Sequence, residues 1–377
     1  MTPTQRLWLG RSVLVLGGSL IGLMIAELTA RVMAPSGGEF VLEARIGSVP
    51  PDLYQPDPEL RTRLRPSISV QHESLEYRTE IRTNALGIRG PEVNPKPPGE
   101  IRILTIGDSF TLGIQVAEEE TAGSRLASQL SNTWGRTVTA WNAGVDGYGT
   151  DQATNLARQL ALEVDADILL LRFYMGNDLR DNQLWAHPDQ AAPPMELEGG
   201  LQTEDWNRMH RSLARWSRLY AHLLAWKTVH DQRSDPRIQE MADELRPYVD
   251  GERLVDLLPA TQAALQRLDA LCTELQIPCA VSWTPPAHVV HPERASATFD
   301  IFELDSEQSD PQRMLRTIQS VLPRGMISCD PGTALQRASK TQALYFVFDP
   351  HWNPTGHRIA GESDAACIAS ALDPDTF

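Results

Sequence analysis

From Ile101 onward, short apolar runs alternate with segments of helical pattern, and this alternation restricts the fold more than any other feature of the sequence. Ile101–Ile106 ends in Gly107, Thr137–Trp141 precedes a glycine-rich turn, and Asp167–Phe173 (DILLLRF) is apolar at most of its positions. Cys279–Trp283 and Met326–Cys329 are two further runs of the same kind. Between them Glu118–Leu130, Asp151–Leu162, Pro259–Leu275 and Pro311–Val321 read as helices, with Pro354–Leu372 as the closing helix. Strands that are apolar on both faces need cover on both faces, which points to a parallel sheet between helical layers. Five such strands is the count of a flavodoxin-like, doubly wound α/β domain.

The segments before and within that pattern behave differently. Residues 35–66 are rich in Pro, Gly and polar residues and read as a linker. Ile68-Ser69-Val70 and Tyr77–Thr83 alternate with period two, which predicts a β-hairpin, and Asn84–Gly87 supplies a turn after it. Residues 180–255 interrupt the strand–helix rhythm as an insertion placed to cap a site. Within it Met209, Leu213, Trp216, Tyr220, Leu223 and Leu224 fall at helical spacing, as expected of an amphipathic helix packed on the main domain. The expected organisation is therefore 1–34, an anchor segment; 35–99, linker and hairpin; and 100–377, the main domain.

The anchor expectation rests on Ser12–Ala26, which carries no charge. Fifteen residues fall short of the ~20 that span a bilayer core, but Leu7, Trp8 and Leu9 extend the run if Arg11 snorkels. Arg6, Arg11 and the terminal amine precede it and no acid does, which places the amino terminus in the cytoplasm and everything after Ala34 outside. A cleaved signal peptide is the rival reading. Val32 and Ala34 are the nearest small-residue pair, but Pro35 would follow the cut, and Glu27 and Arg31 stand in the cleavage region. A buried helix of a soluble protein is the third. No second long apolar run exists, so a single membrane pass is expected.

Lys and Arg number 34 against 49 Asp and Glu, a formal net charge of -15, which argues against a nucleic-acid partner. The four cysteines show no metal-site spacing; export would allow disulfides, but their pairing is left open and free thiols are an equal alternative.

Four segments at strand ends carry chemistry. Gly107-Asp108-Ser109 follows the first strand, where an open α/β sheet binds its ligands, so Ser109 is presented as a nucleophile would be. Asn142–Gly149 follows the second strand and lets a backbone N–H approach a ligand. Tyr174–Asp178 follows the third, and Asn177 offers an amide donor at the same edge. Near the carboxyl terminus, Asp349 two residues before His351 can orient an imidazole that serves as base to a serine. Asp108 and Asp178 are expected to brace loops, and His357 to be a capping or surface residue of the closing helix. No cofactor motif and no metal-ligand set stands out, since Asp349, His351 and His357 lack further ligands at a recognisable spacing.

These four blocks, in this order, resemble the SGNH (GDSL-type) hydrolase family over roughly residues 100–372. The family's Ser, Gly, Asn and His fall on Ser109, Gly147, Asn177 and His351. The hairpin followed by TNALGIRGPE also looks like exported, membrane-anchored bacterial members. The resemblance implies a three-layer α/β/α sandwich that cleaves or transfers esters. It makes Ser109 the nucleophile, His351 the base and Asp349 its orienting carboxylate. Ser109 N–H, Gly147 N–H and the Asn177 side chain would form the oxyanion hole. The Asp-x-His spacing differs from the commoner Asp-x-x-His and is similar to that of polysaccharide O-acetyltransferase relatives. The expectation is thus an extracytoplasmic hydrolase of O-acyl esters on a carbohydrate or lipid. The alternatives are a polysaccharide O-acyltransferase and a non-catalytic glycan-binding protein.

Overall fold

The computed structural model describes residues 2–32, 50–187, 201–232 and 236–377. After the long helix α1 (Pro3–Val32) come two small antiparallel sheets: β1 (Tyr54–Asp57) with β2 (Arg61–Leu64), and β3 (Ser69–Glu73) with β4 (Arg78–Arg82). The main domain then runs β5 (Ile101–Gly107), α2 (Ala122–Trp134), β6 (Val138–Gly144), α3 (Thr150–Leu160), β7 (Ile168–Tyr174) and α4 (Asp178–Ala186). The insertion contributes α5 (Leu201–Trp216), α6 (Arg218–Gln232) and α7 (Pro236–Val249). The domain closes with α8 (Gly251–Leu275), β8 (Cys279–Thr284), α9 (Pro311–Gln319), β9 (Ile327–Cys329) and α10 (Pro354–Ala371).

The five strands β5–β9 pair in parallel in the order β6-β5-β7-β8-β9, which is the flavodoxin-like doubly wound order. Alternate residues of each strand serve opposite layers. Ile101, Ile103, Ile168 and Leu170 pack with Leu126 and Leu130 of α2 and Ile368 of α10. Leu104, Ile106, Leu169 and Leu171 pack with Leu156 of α3 and Leu265 and Leu268 of α8. The chain reverses direction across the sheet between β5 and β7, and the loops after those two strands open on that switch point.

A buried ion pair crosses this apolar frame. Arg172, in the middle of the DILLLRF strand, pairs with Asp364 of α10 at 2.8 Å. Ser282 of β8 donates to the other Asp364 oxygen at 2.8 Å. The guanidinium also lies 5.3 Å from the ring centre of Trp352, the residue after His351. Both members of the pair are buried, so removing one strands the other's charge. Asp364→Ala is expected to lower stability by about 3–5 kcal/mol, measured by urea unfolding.

Several expectations require correction. The region read as a linker, 35–66, contains the β1–β2 hairpin, whose flanking Leu53, Leu60 and Leu64 are buried against the main core. The polar strands YQPD and RTRL hid it; residues 33–49, which include Ala34, lie outside the described part of the chain. The helix expected over Glu118–Leu130 is split, because Thr121 caps α2 by accepting from Ser124 N. The helix expected from Pro259 begins at Gly251, capped by Asp250, and carries Pro259 in its interior.

The insertion departs most. It is broken at Ser217 into α5 and α6, and Met209, Leu213, Trp216 and Leu223 are exposed. Of the expected stripe Leu224 is buried and Tyr220 packs beside it; Ala214, Ala221 and Ala225 complete the buried face, which covers Leu75 and Phe348. Residues 188–200 and 233–235 of the insertion lie outside the described residues. The cysteines, left open by the sequence, are joined as Cys272–Cys279, tying α8 to β8, and Cys329–Cys367, tying β9 to α10.

Candidate active site

The loop after β5 turns sharply at Gly107, whose φ of 143° favours glycine; a Cβ there would lie 2.6 Å from the Arg172 carbonyl oxygen. Asp108 then caps the helical turn Ser109–Leu112, accepting from Phe110 N at 2.9 Å. Gly144, at the end of β6, lets that turn sit against it, since a Cβ would come 2.3 Å from Leu112 N. Ser109 is thereby fixed at the carboxyl edge of the sheet with its hydroxyl facing the loop before α10.

That loop is held from both sides. Asn353 caps α10 through Thr355 N and Gly356 N, with Pro354 in the first turn. His351 Nε2 lies 2.6 Å from Ser109 Oγ, and His351 Nδ1 lies 2.5 Å from Asp349 Oδ1. Nδ1–H donates to the carboxylate, which leaves the Nε2 lone pair toward the serine. The imidazole rests on Phe110, ring centres 4.7 Å apart, and Phe110 meets Trp352 edge-on at 5.0 Å.

The hairpin β3–β4 completes the arrangement. Tyr77 Oη donates to Asp349 Oδ2 at 2.6 Å, and His72 Nε2 lies 3.1 Å from Tyr77 Oη. The Glu76 carboxylate accepts the backbone N–H groups of Val347, Phe348 and Asp349 at 2.9, 2.6 and 3.2 Å. Sequence reading missed these three residues. The period-two pattern located the hairpin, but nothing in it signalled contact with a loop some 270 residues away.

Burial opposes ionisation of His351, but the carboxylates of Asp349, Asp146 and Asp108 outweigh it and hold its pKa above that of an ordinary histidine. Burial likewise opposes a charged Asp349, yet the His351 charge and the bonds from His351 and Tyr77 hold it below the ordinary aspartate value. Burial pushes Asp108 up to about 7 and Asp178 well above its usual range. Both brace loops, Asp178 by accepting from Tyr174 N at 3.1 Å. Burial lowers His72 to about 4, so it is neutral at pH 7. His357 is buried rather than at the surface; its Nδ1 accepts from Ala122 N at 3.2 Å, at the start of α2.

Ser109, Asn177, Asp349 and His351 line one cavity of about 250 Å³. Its walls are largely apolar, from Phe110, Tyr174, Leu245, Pro286, Phe302 and Val347, with Leu245 supplied by α7 of the insertion. His288 also faces it, with Nε2 buried and unpartnered and its pKa lowered by burial to about 3. Asn177 Oδ1 is buried without a hydrogen bond. Gly147 lies on the turn after β6, exposed and with φ 71°.

No protein-family model and no curated protein matches the chain. Among solved structures it is similar to TesA, with 9% identity over 72% of this chain and 99% of that one, TM-score 0.36. It is also similar to the lipase/acylhydrolase from Enterococcus faecalis, with 14% identity over 73% of this chain and 98% of that one, TM-score 0.36. An acetyl xylan esterase from Geobacillus stearothermophilus shares 13% identity over 71% of this chain and 94% of its own, TM-score 0.38.

Proposed function

We propose that the chain is a serine ester hydrolase of the SGNH type, held at a membrane by α1 and working on its extracytoplasmic side. The observation that carries the reading is the unbroken hydrogen-bond line from Ser109 through His351 to Asp349 at the carboxyl edge of the sheet. Ser109 Oγ attacks the acyl carbonyl while His351 Nε2 takes its proton. The bond to the alcohol then breaks, and the imidazolium returns the proton to the leaving oxygen. Water attacks the acyl-serine with the same proton exchange, releasing the acid and restoring Ser109.

The developing oxyanion is received by the N–H groups of Ser109 and Gly147 and the Asn177 amide. The apolar cavity suits the acyl half of the substrate better than a sugar ring, which leaves the alcohol half, carbohydrate or lipid, on the open side. Two disulfides and an apolar helix behind two arginines support an exported protein.

The test is labelling with a fluorophosphonate, which modifies a serine only where a base activates it. Label is expected on Ser109, located by peptide mapping, with turnover of short acyl esters by the same preparation. Absence of both would end the hydrolase reading. Asn177→Ala is expected to reduce kcat by about 10²–10³ with a smaller change in KM, because its donor acts on charge that develops during the reaction.

A further inference from the structure

Five large apolar residues of α5 and α6 face outward. Trp216 is 85% exposed, Trp226 67%, Leu223 58%, Met209 52% and Leu213 45%. On α5 the residues 209, 213 and 216 are spaced as one helical stripe, and on α6 the pair 223 and 226 are also neighbours on one face. The opposite stripe already satisfies packing through Ala214, Ala221, Leu224 and Ala225. Exposed apolar surface of this extent is uncommon on a protein whose surroundings are water alone.

Its position supplies the explanation. The carboxyl end of α1 is joined to the break between the two helices. Glu27 accepts from Ser217 Oγ, Arg218 N and Leu219 N at 2.7, 3.0 and 3.1 Å. Arg31 donates to the Trp216 carbonyl at 3.2 Å, and His222 Nε2 lies 3.2 Å from the Ala30 carbonyl. The apolar stretch Arg11–Val32, almost all of it exposed, therefore runs into the two stripes at one fixed joint. Tryptophan beside leucine and methionine at that level is the composition of a helix lying in a bilayer interface.

We propose that α5 and α6 rest on the lipid surface from which α1 emerges, inserting Trp216 and Trp226 with Leu213 and Leu223 into the interface. The proposal rests on reading Arg11–Val32 as a membrane span. The exposed stripe residues Met209, Leu213, Trp216, Leu223 and Trp226 carry no charge, so the contact is apolar and forms on zwitterionic lipid.

The test uses the full chain in phosphatidylcholine vesicles, with a nitroxide on one introduced cysteine at a time. The native cysteines are all in disulfides, so the new thiol alone is labelled. Leu213→Cys and Leu223→Cys report the stripes, Leu20→Cys the span, and Leu162→Cys, at a site 78% exposed, is the aqueous reference. All four positions are exposed, so the fold tolerates the label. Collision with a water-soluble nickel chelate is expected to be severalfold lower at 213 and 223 than at 162, with dissolved oxygen still reaching them. Trp216→Ser with Trp226→Ser should abolish that shielding.

Nickel accessibility at 213 and 223 equal to that at 162, with position 20 shielded, overturns the proposal and leaves the span intact. Water access at position 20 as well overturns the span reading and this proposal with it. Shielding at 213 and 223 from oxygen and nickel alike marks a protein partner and also overturns it; spin–spin broadening that unlabelled chain relieves identifies that partner as a second copy.

Discussion

Ser109→Ala is expected to lower kcat/KM on an activated acyl ester by about 10⁶, with far-ultraviolet circular dichroism and melting temperature unchanged. Ser109 Oγ has one hydrogen-bond partner among the described residues, His351 Nε2, and it sits at a cavity wall, so removing it leaves no buried group stranded. His351→Ala should cost about as much, because without the base the hydroxyl stays protonated at neutral pH. The double variant should be no slower than either single one, since the two act as a unit. Measurable turnover in Ser109→Ala with full loss in Asn177→Ala would place the nucleophile elsewhere.

Asp349→Asn is expected to reduce kcat by about 10⁴. The carboxylate does two things at once. Its Oδ1 accepts both His351 Nδ1–H and His351 N, which fixes the tautomer with Nε2 bare toward Ser109. Its charge also stabilises the imidazolium formed when the serine proton is taken. In the parent protein His351 must be neutral to act as base, and its pKa is raised, so kcat/KM should climb with pH through a value above about 6.5. The amide carries no charge, so the surviving activity of Asp349→Asn should climb at lower pH. A pH–rate profile of both proteins on one ester decides it. An unchanged acidic limb in Asp349→Asn would mean that another group governs the profile.

The sheet was legible because its strands are apolar on both faces. Periodicity and flanking glycines place the ends of β5, β7, β8 and β9 within one residue, while β6 runs three residues past the expected Trp141, to Gly144. The doubly wound order then brings Ser109, Asn177, Asp349 and His351 to one edge, and the structure sets them around one cavity. What was illegible lies in docking between segments. Glu76, Tyr77 and His72 look like any solvent-side residues of a hairpin, and only its placement against the 347–351 loop gives them partners.

The insertion failed for a different reason. Helical spacing says that a face is apolar but not which face turns inward, and here both faces are apolar. The face of Ala214, Ala221, Leu224 and Ala225 allows close approach to Leu75 and Phe348, so Met209, Leu213, Trp216, Leu223 and Trp226 are left outside. Arg172 is illegible in the sequence for a third reason, since a single charge in an apolar strand looks like a lapse in the pattern until Asp364 is brought beside it. The disulfides depend on which helix lies over which strand, which no spacing between cysteines reveals.

The bond from Tyr77 to Asp349 joins positions 272 apart in the chain, and the base lies just beyond the second of them. A ribosome delivers these pieces in order, hairpin first and then the serine, with the Asp-Pro-His segment long afterward. Throughout synthesis the polypeptide therefore carries a serine with no base to arm it. The proton acceptor arrives in a single late step, when the closing segment is in place. On the hydrolase reading proposed above, a partly made chain has nothing with which to cleave an ester.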